Sequence, residues 1–237
     1  MDPDGLLAEQ IAYYRARALE YDDWWERRDR YDQGPEFLAW WRDEIASVAD
    51  WLDGLAPFGL VLEIAAGTGN LTRMLAPHAD ALLALDSSTE TLAINSVKTA
   101  GMPVEYVVAD VFEWETDRRF DTVVFGFWLS HVPEAVFERF WRMVAGWLVP
   151  GGRAVFVDNR EPDGDWLERR HRQTDAVYDQ SRGISRRTLS DGRSFNIVKV
   201  FWKPDGLERR LRDVGWQAQV GRTSGAFIHG VATPDVE

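Results

Sequence analysis

Leu60-Val-Leu-Glu63-Ile-Ala65-Ala-Gly67-Thr68-Gly69-Asn-Leu-Thr72 is the stretch on which the fold turns. Leu60–Ile64 is short, apolar and partly β-branched, the pattern of a strand buried on both faces of a parallel sheet. Gly67 to Gly69 breaks the run, and Leu71–Leu75 resumes with helical spacing. A strand, a glycine turn and a helix start bring backbone N–H groups and the positive helix end to one point. The glycines let a ligand approach the backbone closely. Ala65 is expected at negative φ, where alanine costs nothing. Glu63 falls near the carboxyl end of the strand, the edge at which open α/β sheets bind ligands.

The rest of the chain repeats this theme. Ala81–Leu85 predicts a second strand, ending in Asp86-Ser87. Asp86 stands at about the 20-residue offset at which an acid meets ribose hydroxyls. Its competing role is to cap the helix Thr89–Lys98, with Ser88 and Glu90 alongside. Val104–Ala109 predicts a third strand, followed by Asp110-Val111. Phe120–Gly126 predicts a fourth, running into Phe127-Trp128-Leu-Ser-His131-Val-Pro133. A helix is expected from Pro133 to Trp147, a turn over 149–152 and a fifth strand over Arg153–Val157. Pro204–Val214 predicts a last helix, and Trp216–Val220 and Ala226–Ala232 two antiparallel strands. Glu63, Asp86 and Asp110, at three strand ends, would surround one cationic nucleoside. A dinucleotide site, by contrast, wants G-x-G-x-x-G, and its third glycine position here is Thr72.

Glu63-Ile-Ala65-Ala-Gly67-Thr68-Gly69 resembles the first motif, E/D-x-G-x-G-x-G, of the class I S-adenosylmethionine-dependent methyltransferases. Ala65 stands where that family more often has glycine. The resemblance implies an α/β fold: a seven-stranded, mostly parallel Rossmann-like sheet of order 3-2-1-4-5-7-6 with helices on both faces. It implies S-adenosyl-L-methionine as donor, S-adenosyl-L-homocysteine as product, and no metal. Asp110 would face the adenine amino group, with Val111 beside the base. Phe127 and Trp128 would lie in the loop beside the transferred methyl. The helix around Tyr14 and Tyr21 would fold over the cofactor, a tyrosine touching its carboxylate.

Composition narrows the partners. The net charge of −12 argues against a phosphate backbone. No cysteine is present, which removes thiolate metal sites and thiol nucleophiles, and the four histidines lack metal-ligand spacing. Neither a signal peptide nor a run long enough for a membrane span is legible. These features predict a soluble cytoplasmic protein of one domain: a helical cap over 1–56, a cofactor core over 57–158, an inserted arm over 159–200 and the end of the sheet over 201–237. None of them sets the oligomeric state. Five of twelve tryptophans precede the glycine turn, as a packed cap requires. Tyr14, Ala18, Tyr21 and Trp25 share one helical face, whereas Arg15 and Arg17 lie off it. Gly34-Pro35 restarts a helix whose buried stripe runs from Phe37 through Trp41 and Leu52 to Leu55.

The arm reverses the sign of charge. A helix is expected over Trp166–Gln180, then a hairpin of Arg186–Leu189 and Ser194–Val200 about Asp191-Gly192. From Arg182 to Lys199, five cations stand against one acid. A two-residue turn puts Arg186 and Lys199 on one face with Phe195 and Ile197, and Arg187 on the other with Asn196. This segment, the Tyr13-Tyr14-Arg-Ala-Arg17-Ala helix and Trp128–Pro133 together resemble a phosphonate O-methyltransferase of bacterial secondary metabolism. The resemblance implies that Arg187 and Lys199 bind the anionic group of the substrate. A bulge near the turn would bring the two onto one face.

The expected activity is methyl transfer to a small acidic metabolite, a carboxylate or phosphonate that needs no general base. A phenol or amine acceptor would instead use His131, the one histidine placed for it. A nicotinamide-dependent oxidoreductase and a non-catalytic nucleoside-binding module are the competing classes.

Overall fold

A computed structural model describes residues 3–161 and 177–235. Three helices lead the chain: α1 (Pro3–Arg17), α2 (Tyr21–Glu26) and α3 (Pro35–Asp53). The first five strands are β1 (Gly59–Ile64), β2 (Ala79–Asp86), β3 (Val104–Val108), β4 (Phe120–Gly126) and β5 (Leu148–Asn159). They alternate with α4 (Thr72–Leu75), α5 (Thr89–Lys98) and α6 (Phe137–Trp147). The arm holds β6 (Val177–Asp179), β7 (Ile184–Thr188) and β8 (Ser194–Val198). α7 (Pro204–Arg212), β9 (Trp216–Arg222) and β10 (Phe227–Pro234) complete the chain.

The large sheet has the order β3-β2-β1-β4-β5-β10-β9, and β6-β7-β8 form a separate three-stranded sheet. This is the Rossmann-like order expected from the sequence. β10 runs antiparallel to both β5 and β9, so it alone opposes the direction of the others. The two closing strands pair antiparallel to each other, as expected, and β9 returns to the direction of the first five. β5 also begins earlier than expected, at Leu148, because Leu148 pairs with Phe120 before the register shifts at Thr122.

Period-two alternation sends each strand's side chains to two cores. Leu62, Leu83, Phe125 and Phe156 join Phe140 and Trp141 of α6 and Leu211 of α7. Val61, Leu82, Val124 and Val155 join Trp41 and Leu52 of α3 and Leu75 of α4. A third cluster, of Tyr13, Leu189 and Ile197, glues α1 to the hairpin. The arm therefore packs on the N-terminal helix.

The hairpin register differs from the expected one by one residue. Arg187 faces Phe195, Ser185 faces Ile197 and Arg186 faces Asn196. The Gly192 N–H bonds the Leu189 carbonyl at 3.0 Å, and the Leu189 N–H bonds the Arg193 carbonyl at 2.9 Å. Gly192 has φ +85°. This is a three-residue loop, a turn closed by a left-handed glycine that forms a bulge, where a two-residue turn was expected. The shift moves Arg187 onto the face of Phe195 and Ile197. It turns Arg186 outward, where it is exposed. Of the helix expected over 166–180, residues 166–176 lie outside the described residues, and Val177–Asp179 form a strand against β7. A short local run had no tertiary partner in the sequence reading, and pairing with β7 overrides its helical pattern.

Among the described residues, no helix is long and apolar enough to cross a membrane.

Candidate active site

Two clefts meet at the carboxyl edge of the sheet. The first, of about 800 Å³ and open to solvent, takes Ala65 and Gly67 from the end of β1, Asp86 and Ser87 from β2, and Asp110 and Val111 from β3. Phe127, Trp128 and His131 come from the loop after β4, and Tyr14 and Tyr21 from the N-terminal helices. The second cleft carries Arg17, Arg27, Arg30, Arg187 and Lys199, and among the described residues no carboxylate lines it. Tyr14, Tyr21, Phe127 and His131 line both.

Asp86 organises the first cleft. Its Oδ2 accepts from the Gly67 N–H at 2.8 Å. Its Oδ1 accepts from the Ser88 N–H at 2.9 Å and from the Thr91 hydroxyl at 3.2 Å. The helix cap itself is Ser88, whose Oγ accepts from the Thr91 N–H at 3.1 Å. Burial pushes the Asp86 carboxyl up, against the pull of these donors. Asp110 accepts from the Phe112 N–H at 2.9 Å and tightens the turn that presents Val111. The Trp128 Nε1 is buried with no hydrogen-bond partner among the described residues.

Ala65 does not sit at negative φ. Its φ is 53°, in the left-handed region, and Phe127 at the end of β4 has φ 57°. Local sequence favours neither conformation, and the fold imposes both at the sheet edge, where bound groups must approach the backbone. The left-handed conformation costs an alanine about 1–2 kcal/mol, part of which glycine returns through the unfolded chain. Ala65→Gly is accordingly expected to be neutral or to raise the melting temperature by a few degrees, measured by thermal unfolding.

Glu63, Thr68 and Gly69 stand behind the cleft and do not line it. Gly69, at φ +86°, lies so close to Asn95 that a Cβ would fall 2.6 Å from its Oδ1. Thr68 donates to Asp22 Oδ1 at 2.7 Å, which Lys98 Nζ also meets at 2.7 Å, so the glycine turn is tied to α2. Glu63 is 1% exposed, bonds Thr72, and leaves Oε2 without a partner among the described residues. Burial pushes its carboxyl from 4.5 up to about 8, despite the Thr72 bond. Between those values the folded chain holds a proton that the unfolded chain releases, so stability falls as pH rises through the window. Glu63→Gln is expected to remove this slope. Its melting temperature should gain on the parent's progressively from pH 5 to pH 8, measured without added cofactor.

At the junction, His131 Nδ1 lies 2.7 Å from the Val198 carbonyl, an acceptor, so Nδ1 carries the proton. Nε2 then accepts from the Tyr14 hydroxyl at 2.8 Å. Burial, and after it the Lys199 charge, holds the imidazole well below its usual range, against the Val198 bond. Burial above all pushes the Tyr14 phenol well up. The pair is a neutral donor–acceptor couple, and the basic nitrogen of His131 is already engaged. Lys199 is 2% exposed, donates to Ser130 Oγ at 2.7 Å, and lies 3.8 Å from Asp158.

The clefts sort charge by sign. Carboxylates line the first, among apolar walls able to hold a base, and this donor set fits a nucleoside bearing a sulfonium and an ammonium. Residues 61–152 match the family described as a methyltransferase domain. An uncharacterized methyltransferase of Staphylococcus carnosus is 34% identical over 121 residues, which is 50% of this chain and 56% of that protein. The structure of DhpI with S-adenosylhomocysteine is 36% identical, with a TM-score of 0.79 and all of both chains covered. The chain belongs to the S-adenosylmethionine-dependent methyltransferases. The DhpI–SAM–HEP complex is similarly close, at 38% identity and TM-score 0.79 over 99% of this chain and all of that one. A methyltransferase from Burkholderia thailandensis, 18% identical with a TM-score of 0.62 over all of this chain and 92% of that one, shares the fold. The membership removes the nicotinamide-dependent reading.

The structure thus gathers most of the sequence-predicted site of this methyltransferase and adds to it. Arg187 and Lys199 reach one cleft together, as the shifted register requires. Arg186 does not reach it, because the same shift points it to solvent. Arg17, Arg27, Arg30 and Tyr31 line the second cleft and were not anticipated. Their signal in the sequence is an arginine-rich, aromatic-rich run over 13–31, in which helical spacing places Arg17 off the face of Tyr14 and Tyr21. Among the described residues, no group of side chains could hold a metal ion.

Proposed function

We propose that this methyltransferase transfers the methyl group to an oxygen of a small acidic metabolite, a carboxylate or phosphonate, bound in the cation-lined cleft. The observation that carries this reading is the cleft itself: five cations and, among the described residues, no lining carboxylate, in a chain of net charge −12. Guanidinium forks match carboxylate and phosphonate oxygens, and the resemblance to a phosphonate O-methyltransferase points the same way.

When bound, S-adenosylmethionine supplies a methyl group on a positively charged sulfur. The roles proposed for this chain's residues follow from placement. Asp86 holds the ribose hydroxyls, Asp110 and Val111 the adenine, and the Gly67 backbone permits close approach. Arg187 and Lys199 orient the anion so that one oxygen faces the first cleft, past Phe127. Tyr14 and Tyr21 close the junction and exclude water, which strengthens the attraction between an anionic nucleophile and a cationic donor. Alignment supplies much of the remaining acceleration. An ionised acceptor needs no base, in accord with a neutral His131 whose lone pair is taken by Tyr14.

The test is a screen of carboxylates, phosphonates, phenols and amines with isotopically labelled S-adenosylmethionine. Label should appear as the methyl ester of an acid, base-labile for a carboxylate and base-stable for a phosphonate. Label confined to phenols or amines would overturn the reading and return His131 to the role of base.

A further inference from the structure

We propose that the methyl acceptor carries a second acidic group, held at the far end of the cation-lined cleft by Arg17, Arg30 and Tyr31. This rests on the reading of that cleft as the acceptor site, and concerns what lies beyond Arg187 and Lys199.

The cations are strung out along the hairpin. Lys199 follows β8 and donates to Ser130, next to His131 at the junction. Arg30 meets the hairpin at the other end, where its Nη2 donates to the Thr188 carbonyl at 3.0 Å. Thr188 faces Ser194 across the hairpin. Ser194 is five residues from Lys199, roughly 16 Å of strand. An acceptor that spans this run can meet Lys199 with one acidic group and the Arg30 end of the cleft with another.

The far end is built for an anion. The Tyr31 hydroxyl accepts from Arg30 Nη2 at 3.0 Å and from Arg17 Nη2 at 3.4 Å, clamping two guanidinium groups together. Among the described residues, the Nε of Arg17, Arg30 and Arg187 are buried with no hydrogen-bond partner. Glu20 approaches Arg30 at 3.9 Å, but among the described residues no carboxylate lies within 4 Å of Arg17. Clustered cations with idle buried donors cost stability unless an acceptor arrives. The backbone leading to Arg30 is itself strained, with φ 56° at Arg27 and 51° at Asp29. Such strain persists where the surrounding structure holds side chains to a task. The chemistry called for is a diacid: one group to be methylated beside Lys199, and a carboxylate, phosphonate or phosphate several bonds away that stays ionised and keeps the far cations matched in the product.

Calorimetry of the full chain with S-adenosylhomocysteine tests this. The probes are ethylphosphonate and the ω-phosphonocarboxylates from phosphonopropionate to phosphonohexanoate. The parent should bind the best-fitting diacid about tenfold or more tighter than ethylphosphonate. Arg30→Gln should erase that advantage while shifting the ethylphosphonate Kd much less, and Arg30→Lys should restore part of it. Arg17→Gln should act likewise. Variants are compared at matched S-adenosylhomocysteine affinity and melting temperature, and if Arg17→Gln fails to fold, Tyr31→Phe takes its place. Diacids binding no better than ethylphosphonate, or Arg30→Gln weakening both probes equally, overturns the proposal and leaves the acceptor site standing. If no acid binds the parent at all, the acceptor-site reading falls with it.

Discussion

Arg187→Gln is expected to raise KM for an anionic acceptor about 100-fold, with a smaller loss in kcat. The argument is geometric. The bulge at Gly192 puts Arg187 on the inner face of the hairpin with Phe195 and Ile197, where its Nε is buried without a partner among the described residues. Burial lowers its affinity for its proton, so the charge is held at a cost that a bound anion relieves. Hydrogen bonds to charged groups are worth about 1.5–3 kcal/mol each, and a fork makes two. Arg187→Lys should recover little, because a point charge lacks the fork. Arg186→Gln is the control: on the outer face, it should leave KM unchanged. An effect at Arg186 and none at Arg187 would reinstate the two-residue turn. Lys199 is a poorer probe. Removing it leaves Asp158, 1% exposed, with, among the described residues, only the Ser130 and Asn159 N–H groups to offset its charge, and breaking a buried pair costs about 3–5 kcal/mol of stability.

Asp86→Asn is expected to weaken binding of S-adenosylmethionine and S-adenosylhomocysteine by about 100-fold or more. The carboxylate already serves three protein donors, the Gly67 and Ser88 N–H groups and the Thr91 hydroxyl. Asparagine keeps the shape but offers one acceptor oxygen, and its NH₂ must face a backbone N–H. One buried donor is left unmatched, at about 1–3 kcal/mol, and the charge-assisted bonds proposed to the ribose are lost as well. Calorimetry with S-adenosylhomocysteine reads this without turnover. A Kd within a factor of about three of the parent's would mean that Asp86 only shapes the loop, and that the nucleoside is held elsewhere.

The two positions differ in how openly the chain announces them. Asp86 follows an apolar β-rich run and precedes a helix, and it repeats a pattern set by Glu63 and continued by Asp110. A buried strand, a polar tip and a helix start are all encoded within a dozen residues, because the forces that make them act locally. Arg187 was legible as a residue type in a cationic segment, but its direction depended on a single residue of loop length. In a structure of period two, that residue reverses every face. Glu63 shows a further limit. Its place at a strand end was legible, but its retreat behind the cleft depends on how Thr72 and the helix pack over it.

The amino-acid sequence by itself determined the alternating buried strands and helices, the glycine turn and the acids at the strand ends, since hydrophobic periodicity and turn chemistry are written in neighbouring residues; the order of the strands came from the resemblance those motifs carry. Tertiary structure alone decided the left-handed backbone at Ala65 and Phe127, the hairpin register, and the meeting of Arg17 and Arg30 with Arg187. Those outcomes join residues far apart in the chain, and their energy lies in contacts that do not exist until α1 has packed against β8.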